Sequence, residues 1–288
     1  LVHSPQRNNQ VSWLKNLDGL GHFGNETIIA EEVYGPRGLS SVDLDGDNDI
    51  DVLVVSSNHY KIIWFKNLDG NGNFGSEIII SDLENDPTSV FATDMDNDGD
   101  VDILAALYDD YTIGWFENIN GQGDFGTIQI ISGLTEGATL IYAADADNDG
   151  DIDVFSASAL DLKIAWYQNI APGLFGEQQI ISSEFYYPIG ITSGDIDGDG
   201  DLDLLSGSSY IDSRVAWFQN EDGFGDFVEQ QALNTDIEYC RSAILLDVDG
   251  DGDLDIVATS WKTEAHRIIW FENTNGNGYF NNSPQILS

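Results

Sequence analysis

Short runs of β-branched and aromatic residues alternate along the whole chain with clusters of Gly, Asn and Asp, and no apolar stripe of helical period interrupts them. Apolar runs bounded by turn residues predict strands. Six runs share one motif: VSWLKN at Trp13, IIWFKN at Trp64, IGWFEN at Trp115, IAWYQN at Trp166, VAWFQN at Trp217 and IIWFEN at Trp270. Neighbouring apolar residues such as Trp64 and Phe65 point to opposite faces of a strand, so both faces must be covered, and the six tryptophans are expected in the core. A Gly- and Asn-rich turn ending in Phe follows each motif (GLGHFG, GNGNFG, GQGDFG, PGLFG, GFGDFV, GNGYF), and then a β-branched run such as EIIIS or IQIIS.

In phase with these strands, Asp-x-Asp-x-Asp-x-Asp-x-Asp recurs five times at spacings of 51, 51, 50 and 52 residues. The copies are Asp43, Asp45, Asp47, Asp49 and Asp51; Asp94, Asp96, Asp98, Asp100 and Asp102; Asp145, Asp147, Asp149, Asp151 and Asp153; Asp195, Asp197, Asp199, Asp201 and Asp203; and Asp247, Asp249, Asp251, Asp253 and Asp255. Carboxylates this dense call for a cation, and a hard ion with several oxygen ligands, calcium, suits them best. The expected ligands are the side chains at positions 1, 3, 5 and 9 and the backbone carbonyl at position 7. Position 6, where the loop turns, is Asn48, Gly99, Gly150, Gly200 or Gly252, types that tolerate a left-handed backbone. An EF-hand is excluded, because position 12 is Val54, Ala105, Ser156, Ser206 or Ala258 rather than Glu, and a strand follows instead of a helix. About five calcium ions are expected. Fivefold repetition is unlike the single carboxylate pair of a glycosidase.

One unit reads as four short antiparallel strands, in one copy PTSVFATD, the aspartate loop, VDILAAL, TIGWFEN, the Gly-rich turn and TIQIIS. Four-stranded sheets repeated at this interval predict an all-β fold, a β-propeller of four-stranded antiparallel blades. Six blades are expected: an incomplete first blade at 1–30 and five complete ones at 36–80, 87–131, 138–181, 188–231 and 242–288, forming a single propeller. The aspartate loops, with the Phe-Gly pairs at Phe23-Gly24, Phe74-Gly75, Phe125-Gly126 and Phe175-Gly176, resemble the FG-GAP or VCBS repeats of integrin α-subunit propellers and many secreted bacterial proteins. The pattern departs at Phe227-Val228 and Phe280-Asn281. The resemblance spans essentially the whole chain and implies calcium in the loop between the first two strands of a blade, with structural, adhesive or glycan-binding roles.

Composition narrows the partners. With 51 acidic residues against 10 Lys and Arg, the net charge of −41 disfavours nucleic acid and an anionic membrane surface. The single Cys240 allows no intrachain disulfide. No apolar run approaches the ~20 residues of a membrane span. Open acidic calcium sites of extracellular modules bind at roughly 0.1 to 1 mM, which places the protein at the cell surface or outside the cell. The histidines show no zinc-ligand spacing, and no nucleophile, phosphate-loop or dinucleotide motif is present.

The Trp lies 13 residues after the last loop aspartate in three copies (Asp51 to Trp64, Asp102 to Trp115, Asp153 to Trp166), so the expected first blade lacks its first strand and loop. A ring of six would then want about 21 more residues. These belong to a longer polypeptide, or come from another subunit by strand donation, a contact that propagates into filaments. Loops between second and third strands, and the linkers between blades, are variable and aromatic. Tyr60, Tyr108, Tyr186, Tyr210 and Trp261, with Phe185 nearby, mark a possible ligand face. The expectation is a non-enzymatic extracellular scaffold for adhesion or matrix assembly with a protein or glycan partner. The alternatives are a lectin-like module or an accessory domain of a polysaccharide-degrading enzyme.

Overall fold

The computed structural model describes residues 1–4, 8–82, 86–209, 214–233, 239–262, 265–280 and 284–287. It is all-β, a six-bladed propeller of antiparallel sheets, and it divides into two compact units, Leu1–Leu134 and Thr135–Ser288.

In the first unit, blade 1 is a three-stranded sheet of β1 (Val2–His3), β2 (Val11–Trp13) and β3 (Thr27–Ala30). Blade 2 comprises β4 (Pro36–Val42), β5 (Asp51–Ser56), β6 (Lys61–Phe65) and β7 (Ile78–Asp82), and blade 3 comprises β8 (Pro87–Thr93), β9 (Asp102–Leu107), β10 (Thr112–Phe116) and β11 (Gln129–Ser132). Each is hydrogen-bonded in sequence order. A 3-10 turn at Ser57–His59 joins β5 to β6.

In the second unit, blade 4 contains β12 (Ala138–Ala144), β13 (Asp153–Ser158), β14 (Lys163–Tyr167) and β17 (Gln179–Ser182); between the last two lies a small hairpin, β15 (Asn169–Ala171) and β16 (Leu174–Phe175). The PGLFG turn builds this hairpin. Blade 5 is β18 (Pro188–Gly194), β19 (Asp203–Ser208), β20 (Val215–Asn220) and β21 (Phe227–Leu233). Blade 6 is β22 (Cys240–Leu246), β23 (Asp255–Lys262), β24 (Ala265–Phe271) and β25 (Gln285–Ile286).

The second strand of a blade is buried on both faces, as in Asp51–Ser56, because neighbouring blades cover it front and back. The cores therefore lie between blades. Leu53, Val55 and Trp64 of blade 2 pack with Val90, Ile103 and Leu107 of blade 3, and Phe155 and Trp166 of blade 4 pack with Ile191, Leu204 and Phe218 of blade 5. Trp64, Trp115, Trp166 and Trp217 are buried as expected, while Trp13 and Trp270 are half-buried. Trp13 stands in the three-stranded sheet, and Trp270 in the blade that no other follows in its unit.

A close approach locks the joints between successive blades within each unit. Gly72, Gly123, Gly225 and Gly278 all have positive φ, and a Cβ there would overlap the ring of Trp13, Trp64, Trp166 and Trp217 of the preceding blade, respectively. Any side chain would drive the Gly-rich turn off the tryptophan beneath it.

Candidate metal centres

All five aspartate loops close through the same local hydrogen bonds. The amide of position 6 donates to Oδ2 of position 1: Asn48 to Asp43 at 2.8 Å, Gly99 to Asp94 at 2.9 Å, Gly150 to Asp145 at 3.1 Å, Gly200 to Asp195 at 3.1 Å and Gly252 to Asp247 at 3.2 Å. The amide of position 7 donates to Oδ1 of position 5, as from Asp49 to Asp47 at 2.9 Å and from Asp201 to Asp199 at 3.0 Å. Position 6 is left-handed throughout, as is position 4, occupied by Gly46, Asn97, Asn148, Gly198 and Gly250. Sequence reasoning named only position 6, although every copy has Gly or Asn at position 4 as well.

This double turn aims the carboxylates at a common point. Single oxygens of Asp43, Asp45 and Asp51, and of Asp94, Asp96 and Asp102, lie within 4.8 Å of one another; so do those of Asp145, Asp147 and Asp149, of Asp195, Asp197 and Asp199, and of Asp247, Asp249 and Asp251. Positions 1 and 3 therefore meet position 9 in the first two loops and position 5 in the other three. Position 7 is in none of these groups. The carboxylates of Asp49, Asp100, Asp201 and Asp253 instead sit over Gly70, Gly121, Gly223 and Gly276 in the turn of their own blade, where a Cβ would strike them.

The groups fit a hard divalent cation. Asp45 Oδ1, Asp94 Oδ1 and Asp147 Oδ1 are buried and accept no hydrogen bond, and the Asp147 residue is only 5% exposed. A buried carboxylate oxygen without a donor is costly unless a cation faces it. Burial, then neighbouring carboxylates, push Asp147 and Asp197 above the ordinary carboxylate range, a repulsion that a metal would relieve.

The last aspartate of each loop is more than a charge. Asp51, Asp102, Asp153, Asp203 and Asp255 are essentially fully buried. Oδ2 of Asp153 accepts the amide of Ala146 at 3.1 Å, and Oδ1 accepts that of Asn169 at 2.7 Å. The pairs Met95 and Asn118 on Asp102, and Ile196 and Asn220 on Asp203, repeat the pattern at 2.8 to 3.0 Å. Each such carboxylate ties the aspartate loop to the end of the Trp strand. Burial pushes Asp102, Asp153 and Asp203 up to about 7 against the lowering effect of these amides.

That Asn also spans two blades. Asn118 Nδ2 donates to the Leu44 carbonyl of the preceding loop at 2.9 Å, Asn220 to Ala146 at 2.7 Å, and Asn273 to Ile196 at 2.8 Å. Asn118 Oδ1 accepts the amide of Gly123, the glycine over Trp64, at 3.1 Å, and Asn220 Oδ1 that of Gly225 at 2.9 Å. One side chain thus joins two aspartate loops and a Gly-rich turn. Sequence reasoning passed over it, although Trp-x-x-Asn stands in all six motifs.

The residue just before this Asn faces the loop of its own blade and varies. Gln168 Nε2 donates to Asp147 Oδ2 at 2.5 Å and Gln219 Nε2 to Asp197 Oδ2 at 2.6 Å. Lys66 Nζ contacts Asp45 Oδ2 and lies 3.1 Å from Asp47 Oδ2. Asp47 is held below the ordinary carboxylate range by the Asp49 amide and by Lys66, and Lys66 is raised, chiefly by Asp45.

The opposite loops carry no such repetition. Tyr60, Tyr186 and Trp261 are exposed and Tyr108 is half-buried, each on a different loop or linker. Tyr210 lies outside the described residues. Phe185 corrects the expectation of a ligand-face aromatic: it is fully buried, 5.8 Å from the Phe218 ring and beneath the Arg214 guanidinium, because the linker folds it into the core between blades 4 and 5. In blade 6, the Arg241 guanidinium lies 5.0 Å from the Trp261 ring centre, and His266 meets that ring edge-on at 5.5 Å. Tyr34 and His59 lie 4.5 Å apart in the first unit with their rings tilted by 40°. Cys240 is buried, its thiol pushed up to about 11.

The FG-GAP-like repeat profile matches residues 43–105, 94–156, 145–206 and 197–258, each match running from one aspartate loop into the second strand of the next blade. No curated protein matches the chain in sequence. Among solved structures, an Agrocybe aegerita lectin that recognises non-reducing terminal N-acetylglucosamine is similar over 100% of this chain and 79% of its own, with a TM-score of 0.66 at 16% identity. A Bacteroides uniformis protein named as a candidate 6-phosphogluconolactonase gives 0.66 at 13% identity over 99% of this chain and 81% of its own. AofleA from Arthrobotrys oligospora gives 0.56 at 13% identity over 97% and 79%. Likeness at this level shows the shared fold alone.

Proposed function

The chain belongs to the FG-GAP-like repeat family, and from that premise we propose that it is a calcium-stabilised, non-enzymatic extracellular propeller whose irregular loops bind a protein or glycan at a surface or in a matrix. The observation that carries this reading is the convergence of carboxylates in every aspartate loop, with a buried oxygen that no donor satisfies in each of the first three. Positions 1, 3, 5 and 9 supply the side-chain ligands and position 7 its carbonyl, an all-oxygen set of the kind calcium takes. Calcium there neutralises charge that otherwise repels across the loop. Affinities suited to such open sites are met by extracellular calcium and not by cytosolic calcium. No helix among the described residues is long and apolar enough to cross a membrane.

The test is a thermal melt in millimolar calcium and again with chelator. At ~100 times its dissociation constant each bound ion adds ~2.7 kcal/mol, so chelation lowers Tm by about 10 °C or more. An unchanged Tm overturns the reading.

Glycan binding is the second reading, and the Arg241, Trp261 and His266 cluster favours it. An exposed indole flanked by donors suits the apolar face of a sugar ring and its hydroxyls. A glycan array probed in calcium, with signal lost in Trp261→Ala, is the expected result. A blank array leaves the protein-partner form standing.

A further inference from the structure

We propose that the first aspartate loop carries its own cation: the Lys66 ammonium, held by Asp45 of the converging carboxylates and by Asp47 beside them, takes the place of a metal ion, so the chain holds about four calcium ions across its five loops. The inference rests on the calcium reading of the other loops.

The register makes the comparison internal to the molecule. The residue before the Trp-motif Asn is Lys66, Glu117, Gln168, Gln219 or Glu272 in the five blades that carry a loop. At this position Gln168 and Gln219 reach the position-3 carboxylates Asp147 and Asp197, so side chains here are delivered into the loop. Lys66 follows the same path to Asp45, the equivalent position-3 residue, and extends to Asp47 at position 5. A neutral amide leaves room in charge for a divalent ion. An ammonium does not: it satisfies two of the carboxylates that would otherwise hold the metal and repels what approaches them. A doubly charged ion held ~4 Å from a fixed ammonium loses about thirtyfold in affinity even at the dielectric of water.

Calcium bound after equilibrium dialysis, at a free concentration that saturates loops flanked by Gln, decides the matter. Wild type should retain about four ions, Lys66→Gln about five, and Gln168→Lys about three. Lys66→Gln installs the residue found at this register in two other blades, and Gln168→Lys makes the converse change, so a folding defect in one does not remove the test. Equal counts of about five in wild type and Lys66→Gln would mean that the lysine swings aside, and would overturn the proposal while leaving the calcium reading intact. No calcium in any variant would overturn both.

Discussion

The aspartate-loop side of each blade and the side bearing the intrablade connections are built on opposite plans. On the first, every copy repeats the same donors, acceptors and left-handed residues, and the Trp-motif Asn ties one loop to the next within 2.7 to 2.9 Å. On the second, aromatic residues differ from blade to blade in type, exposure and contact, from exposed Tyr60 to buried Phe185. Repetition serves what all blades need, which is cohesion and charge neutralisation. Irregularity is where an individual binding property can reside.

The contrast breaks most severely if the loop side is cut at its joint. Asn118→Ala strands the Leu44 carbonyl and the Gly123 amide, and at ~1 to 3 kcal/mol for each buried group left unpaired the variant should lose about 2 to 6 kcal/mol, with calcium present or absent. Denaturant unfolding in both conditions measures it, and a cost confined to the calcium-bound form would make Asn118 an accessory of the metal instead.

Next in size is Asp98→Ala, which removes a position-5 carboxylate. Its loss should approach the ~2.7 kcal/mol of one bound ion in saturating calcium and shrink in chelator to the smaller cost of the lost Asp100 amide hydrogen bond. Asp100→Ala, whose carboxylate rests over Gly121, should cost much less in either condition. Equal calcium loss in both variants contradicts the register.

Acidity gives a smaller effect with a definite sign. In calcium-free protein, Asp102, Asp153 and Asp203 have folded pKa values raised to about 7, above the ~3.9 of an unfolded aspartate, so the folded state holds protons that the unfolded state releases. Their stabilising contribution is present in acid and is lost as pH rises through that window. Tm in metal-stripped buffer should therefore fall from about pH 5 to about pH 8, and calcium, which needs the ionised carboxylates, should flatten or reverse the trend. A calcium-free Tm that rises over this range counts against buried, raised carboxylates.

The least change in stability is expected on the irregular side. Trp261→Ala should alter unfolding by no more than about 0.5 kcal/mol while removing ligand binding, as measured by array or pull-down signal beside the melt. A large destabilisation would recast the Arg241, Trp261 and His266 cluster as structural.

The fold and the loop register were legible because both are periodic: alternating strands, paired tryptophans and spaced aspartates announce themselves by recurrence. What stayed hidden lies between repeats. Asn118 and its acceptor Leu44 are 74 residues apart, more than one full unit, so no local pattern couples them. Position 4 of the loops was legible, since Gly or Asn stands there in every copy, but one turn residue seemed sufficient where the chain needs two. Phe185 was misread because an aromatic in a linker looks the same in sequence whether it faces solvent or folds inward beneath Arg214. Lys66 was visible in its motif, and only the observed path of Gln168 and Gln219 reveals where such a side chain goes.

The joint formed by the Trp-motif Asn has a genealogical consequence. In blades 3 and 5 the Asn with its glycine turn is a plug, the tryptophan with its loop carbonyl is a socket, and the plug of the one fits the socket of the blade before it. Nothing in this connector carries an address. Copying a stretch of about one repeat in tandem therefore creates a blade that already fits both neighbours, and the order of blades is left free to drift apart in everything except the parts that touch. The array can grow by duplication first and acquire its distinctive loops afterwards.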